Sequence, residues 1–159
     1  MADDARTHRY ATTCAWAGST GVGYDGYSRA HEVRAAPAAA SLALTSDPAF
    51  GGDPSLLNPE QLLVAAASSC QLLAFLAVAA RARVDVVGYR DDATAEMPER
   101  ADATPMWVER IVLRPAIVVR GTTPSDDRLR RLVDLAHREC FVAGSLRSEI
   151  VVEPSFSRT

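Results

Sequence analysis

The sequence predicts an α+β fold in which antiparallel strands wrap around two long central helices, and three observations carry this. Residues 62–80, "LLVAAASSCQLLAFLAVAA", form nineteen residues without a charge, longer than any strand and apolar on every side of a helix. Residues 123–140, "TPSDDRLRRLVDLAHREC", open with a capping serine and an acidic first turn and then place Leu129, Leu132, Val133 and Ala136 at helical spacing. Short β-branched stretches broken by Gly and Pro lie before, between and after these two helices. A helix apolar on all sides must be surrounded, by a sheet or by a second copy of the chain.

Each element has a local cause. "HRYATTCAW", residues 8–16, reads as a strand, and the glycine-rich "AGSTGVGYDGY" turns the chain into a hairpin. The return strand "YSRAHEV" puts Tyr27, Arg29 and His31 on one face, since side chains repeat every two residues. "SLALTSDP" is a third short strand, and "AFGGDPSLLNPE" punctuates the chain before the apolar run. Asn58 caps the first helix, Pro59 fits its first position, and Glu60 sets a negative charge in its first turn, with Arg81 or Arg83 closing the far end. "VDVVGYRDDATAEM" and "WVERIVLRPAIVVRG" are extended, with a loop around residues 98–105 between them and Pro115 placing the second at an edge or a bulge. "SEIVVEPSF" supplies the last strand. No internal repeat or linker interrupts the chain, so residues 1–159 are expected to form one domain.

Composition excludes several classes of function. The chain has 48% hydrophobic and 23% charged residues and a formal net charge of -3, which gives no basic surface for nucleic acid. The first ten residues, "MADDARTHRY", hold acidic side chains and no apolar stretch behind a basic start, so a cytoplasmic location is expected. The apolar run matches the roughly 20 residues that cross a bilayer. Its seven alanines, with Ser68, Ser69 and Gln71 at the centre, favour a buried helix over a membrane span, and no membrane partner is expected.

Three cysteines, Cys14, Cys70 and Cys140, are too few and too scattered for a secreted disulfide framework. Cys70 is either a small buried hydrophobe or a reactive thiol, and the same choice covers Cys14. Cys140 differs, because His137 stands one turn before it in "AHRECFVAGSLR". Cys70, His137 and Cys140 lack a fourth ligand and any zinc spacing, so no metal is expected, and a Cys-His nucleophile stays open.

"NPEQLLVAAASSCQLLAFLAVAA", followed by "AHRECFVAGSLRSEIVVEP" with its cysteine seventy residues after the first, resembles the OsmC/Ohr family of thiol-dependent hydroperoxide reductases. The likeness runs from about residue 10 to residue 154. It implies an OsmC-like fold, an intertwined homodimer, and reduction of organic hydroperoxides in oxidative stress defence. Cys70 would be the peroxidatic cysteine and Cys140 the resolving one, closing an intramolecular disulfide that a dithiol such as a lipoylated protein reopens. No cofactor is implied. Free cysteine has a pKa of about 8.5 and the helix dipole fades within the first turn, so a thiol in mid-helix needs a cation. In the family an arginine, positioned by the glutamate that matches Glu60, provides it. Ten residues of helix separate Glu60 from Cys70 by about 15 Å, on faces about 80° apart, so Glu60 is expected to serve the cysteine of another chain.

The sequence departs from the family at that arginine. "GYDGY" stands where the Ohr branch has a hairpin of the type "GRDGR", leaving Tyr24 and Tyr27 in place of arginine. Arg29 is the nearest substitute, expected to be held by Glu60, and Arg34 is the second choice. "CFVAGS" also replaces the family's common "CP" after the resolving cysteine. Two other functions remain open: an OsmC-like fold that binds a small hydrophobic ligand without turnover, and a hot-dog-type thioester enzyme in which the thiols are idle.

Overall fold

A computed structural model describes residues 7–100, 105–122 and 124–159. The chain divides into two compact units, residues 1–61 and 62–159. The loop expected around residues 98–105 lies partly outside the described residues.

The first unit is a three-stranded antiparallel sheet in the order β1 (Thr13–Ala15), β2 (His31–Arg34), β3 (Ser41–Leu44). Cys14 pairs with Val33, and His31 with Leu44. The opening strand is shorter than "HRYATTCAW" predicts. Beyond Ala15 the chain leaves the ladder, and the Trp16 indole N–H donates to the Ser28 carbonyl at 2.7 Å, closing the hairpin loop by a side chain instead. After β3, the Thr45 amide donates to Leu57, and Asn58 then starts the first helix. Its side chain accepts from the Gln61 amide at 2.8 Å, while the Gln61 side chain accepts from the Asn58 amide at 3.1 Å. This reciprocal pair is a capping box built on Asn and Gln.

The second unit is organised by α1 (Pro59–Arg81) and α2 (Asp126–Glu139). The Ser125 side chain caps α2 by accepting from the Arg128 amide, as the sequence predicts. One sheet has the order β4 (Val86–Asp91), β7 (Pro115–Val119), β9 (Ser155–Arg158), and the other β5 (Thr94–Glu96), β6 (Arg110–Leu113), β8 (Glu149–Val152). β4–β7 and β5–β6 are antiparallel. β6–β8 and β7–β9 are parallel, an addition to the antiparallel pattern expected, made possible by the α2 crossover that lies between the paired strands.

Three stretches read as single extended segments are each two strands, and "VDVVGYRDDATAEM" breaks after Asp91 into β4 and β5. "RIVLRPAIVV" splits at Arg114 and "SEIVVEPSF" at Glu153 and Pro154, so each sends its first half to one sheet and its second half to the other. Pro115 is accordingly neither at an edge nor at a bulge. It is the first residue of the central strand β7, a place where the missing N–H is tolerated, and the register shift of this sheet falls instead between Val86 and Gly88 on β4.

The core has two parts. Phe75, Val78 and Ala79 of α1 pack with Leu129, Val133 and Ala136 of α2 against Ile117 and Val119 of β7. Ala67, with Leu63 and Val64, packs on Ile111 and Leu113 of β6. Gln71 is 1% exposed and donates to the Val133 carbonyl at 3.4 Å, so the glutamine of the apolar run joins the two helices. Only one stripe of α1, from Ala67 to Ala79, is buried. Leu73, at 63% exposure, and Leu76 are uncovered by this chain. By length and composition α1 is also the one helix among the described residues that could cross a membrane.

Candidate active site

Cys70 opens a row on α1. Leu73, Ala74, Ala77 and Arg81 follow it at steps of three and four residues, which a helix stacks on one face. This row lines a cavity of about 320 Å³, closed on its other side by Glu139 and Phe141 at the end of α2. The Arg81 guanidinium pairs with the Glu139 carboxylate, and the Arg128 guanidinium donates to the Ala82 carbonyl at 3.1 Å. These contacts tie the ends of the two helices.

Cys140 caps the C-terminus of α2, its N–H donating to the His137 carbonyl at 3.2 Å. Its sulfur accepts the Ala143 N–H at 3.4 Å, and the residue is only 4% exposed. Cys70 is half-buried, and it stands near enough to Cys140 to act on that thiol's titration. Burial pushes the Cys140 thiol up from its ordinary range, and the neighbouring Cys70 thiol pushes it further. The Ala143 and Val142 amides pull the other way. Both cysteines are free thiols, as is Cys14. Cys70 stands at a mid-helix position of α1 and Cys140 at the C-terminal cap of α2. His137 lies one turn before Cys140 with its Nδ1 buried and unpartnered. Among the described residues no group of three or more His, Cys, Asp or Glu is arranged to hold a metal.

Arg29 belongs to the first unit, and its surroundings differ from those expected. It donates through Nη2 to the Tyr24 carbonyl at 2.8 Å and through Nη1 to the Tyr27 carbonyl at 3.0 Å. Its Cζ lies 4.8 Å from the Tyr24 ring centroid and 4.4 Å from that of Tyr27. The two tyrosines of "GYDGY" therefore hold the guanidinium, by ring face and by carbonyl. The expectation that Glu60 holds Arg29 within the chain is corrected: among the described residues neither makes an ion pair, because the tyrosine cradle already satisfies the cation. Arg34 pairs with Glu32 at 2.6 Å, at even positions of β2, and so projects from the face opposite His31. Cys14, Trp16, Thr20, Tyr27, Arg29 and His31 line one cavity of about 300 Å³; the return strand begins only at His31, so Tyr27 and Arg29 reach it from the loop and not by the strand period the sequence suggested.

Sequence reasoning passed over Arg81, Glu139 and Phe141 as lining residues. A walk of i+3 and i+4 steps from Cys70 reaches Arg81, and Phe141 adjoins Cys140, so both signals were present. Gly51, whose φ of +77° lets the chain pass close under Arg29, gives no such signal.

The α+β unit thus carries one thiol in mid-helix on α1 and a second at the end of α2. The chain belongs to the OsmC-like protein family, which it matches over residues 52–155. It is similar to an OsmC-like protein of unknown function from Vibrio cholerae, at 29% identity over 94% of this chain and 100% of that one, with a TM-score of 0.84. It shares its fold with an organic hydroperoxide resistance protein from Elizabethkingia anophelis, at 19% identity over 98% and 99% of the two chains and a TM-score of 0.70. It also shares it with a putative organic hydroperoxide resistance protein from Vibrio cholerae that has captopril bound in one of its active sites, at 24% identity over 97% and 95% and a TM-score of 0.66. No curated protein sequence matches the chain.

Proposed function

We propose that this protein reduces organic hydroperoxides with Cys70 and Cys140, and the Cys70 thiol in the wall of a largely apolar cavity, with Cys140 near it, supports the reading. The Cys70 thiolate attacks the distal oxygen of the hydroperoxide. The O–O bond breaks, the alkoxide takes a proton and leaves as an alcohol, and Cys70 becomes a sulfenic acid. Cys140 then attacks the Cys70 sulfur, forming the S–S bond and releasing water. A dithiol reductant, such as a lipoylated protein, returns both thiols and is itself oxidised to a disulfide. Leu73, Ala74, Ala77 and Phe141 offer an apolar surface from which only an organic tail gains, so hydrogen peroxide is the poorer substrate.

Arg29 and Glu60 act in this reading from the partner subunit of a homodimer. The exposed Leu73 and Leu76 on α1 support the pairing, since they are apolar area one chain leaves uncovered. The whole chain acts as one domain in the cytoplasm, without cofactor, nucleic acid or membrane. A second reading, a fold that binds a small hydrophobic ligand without turnover, draws on the tyrosine cradle that already occupies Arg29. Consumption of cumene hydroperoxide by wild type and by Cys70→Ser separates them. Loss of the reaction in the variant is expected, and an unchanged rate would end the peroxidase reading.

A further inference from the structure

We propose that the cavity beside Cys14 in the first unit binds a small aromatic carboxylate, with the acid on Arg29 and the ring against Trp16 and Tyr27. The site does not depend on the peroxidase reading, since every residue in it belongs to the first unit. Cys14 of β1 pairs with Val33 of β2, and His31 stands two residues from Val33, so the Cys14 and His31 side chains share one face of the sheet. Trp16, Thr20, Tyr27 and Arg29 reach the same cavity from the segment between those strands. Its volume of about 300 Å³ lies at the low end for small-molecule sites and suits one ring with a short acid arm. The walls are fixed before a ligand arrives. The Trp16 indole N–H donates to the Ser28 carbonyl at 2.7 Å, and Gly18 passes so close to the indole that a Cβ there would meet Cζ2 at 2.6 Å. The Tyr27 ring stands edge-on to it, with centroids 6.2 Å apart and planes at 87°. His31 donates its Nδ1–H to the Arg29 carbonyl at 2.9 Å, which ties the strand to the residue that carries the charge. Surfaces held in this way lose little freedom on binding.

Charge selects the ligand. Among the described residues the cavity is lined by one permanent cation and by no Asp or Glu, and Arg29 makes no ion pair. The Tyr24 and Tyr27 carbonyls accept two of the five N–H groups that a guanidinium carries, so the rest have no acceptor among the described residues. The two tyrosine rings stabilise the cation without bringing a negative charge to it. A carboxylate supplies two acceptor oxygens at the spacing of a guanidinium edge. A neutral ring would leave those N–H groups unpaired, and an acid without a ring would leave the indole and phenol surfaces uncovered.

The test uses Cys14 as the reporter, because this thiol is free, exposed and part of the cavity wall. Alkylation of Cys14 by iodoacetamide in the reduced full-length protein, read by mass spectrometry of its peptide, follows occupancy without requiring any turnover. Phenylacetate is the probe, phenylacetamide the uncharged control and acetate the control without a ring. Phenylacetate is expected to slow Cys14 alkylation saturably, at a concentration about tenfold or more below that needed with either control. Added salt should weaken the acid and leave the amide unchanged. In Arg29→Gln the acid should fall to the level of the amide. The comparison of acid with amide is made on the wild-type chain, so it holds even where the variant fails to fold. Equal protection by acid and amide, or no protection by phenylacetate at about 10 mM, would overturn the assignment. Selective protection by the acid in a protein that fails to reduce cumene hydroperoxide would leave this site standing while the peroxidase reading falls.

Discussion

Gly51 tests how Arg29 is held. At φ +77° the residue sits in the left-handed region, and a Cβ built on it would come 2.8 Å from Arg29 Cζ and 3.1 Å from Nε and Nη1. In Gly51→Ala the backbone strain costs about 1–2 kcal/mol. The clash is with the free end of a side chain, so the guanidinium moves away. In moving it gives up part of its stacking on Tyr24 and Tyr27, at about 0.5–1 kcal/mol for each ring. The expected loss is about 2 kcal/mol in a urea titration. Hydroperoxide reduction should slow beyond that loss, because the protein remains folded at 25 °C while its cation is misplaced. Arg29→Met should slow it similarly, and the double variant should be no slower than Arg29→Met alone, since both changes act through one group. A Gly51→Ala protein destabilised by about 2 kcal/mol that reduced hydroperoxide at the wild-type rate would refute the link between this cradle and activity.

Two further outcomes are expected. The Cys140 thiol is raised in the folded chain, so it contributes stability fully present below the unfolded thiol value of about 8.5 and lost as pH climbs toward the folded one. Urea stability should fall across this window by at most about 1.4 kcal/mol per pH unit, and Cys140→Ser should lose that component. Tyr89, whose hydroxyl is raised by burial and then by the Asp91 charge, adds a similar decline only above about pH 10. Phe141→Ala should leave stability within about 0.5 kcal/mol, because the ring is 86% exposed, yet raise the KM for bulky hydroperoxides with little change for small ones. An unchanged KM ratio would remove Phe141 from the cavity wall.

The helices were legible in the sequence because their signals are local. Asn58, Pro59 and Glu60 at one start, and Ser125 with two aspartates at the other, act within a single turn. The strand pairings were not, since nothing within residues 110–119 records that its neighbour lies in residues 149–158. Pro115 and Pro154 were visible as interruptions, but a proline marks equally well an edge, a bulge or a change of sheet. For the site, the spacing of Cys70 and Cys140 carried enough family likeness to name both. The partner of Arg29 was missed because a charge argument looks for a carboxylate, whereas two aromatic rings and two carbonyls satisfy a guanidinium at similar distances. Tyr24 and Tyr27 looked like losses relative to the family pattern, and in the fold they are the holders.

The division of residues 149–158 between two sheets bears on how the chain is made. β6 and β7 each wait for a parallel neighbour that follows them by 39 positions, as in Arg110 with Glu149 and Ala116 with Ser155. During synthesis these strands emerge with one ladder edge open, and α2 must be complete before either edge can close. Pairings this remote in sequence slow the search for the native state. Until residues 149–158 arrive, two rows of unpaired amides and carbonyls are offered to any passing strand. A chain shortened by these residues would lose one strand from each of two sheets at once, and its fate would be aggregation more than simple loss of stability.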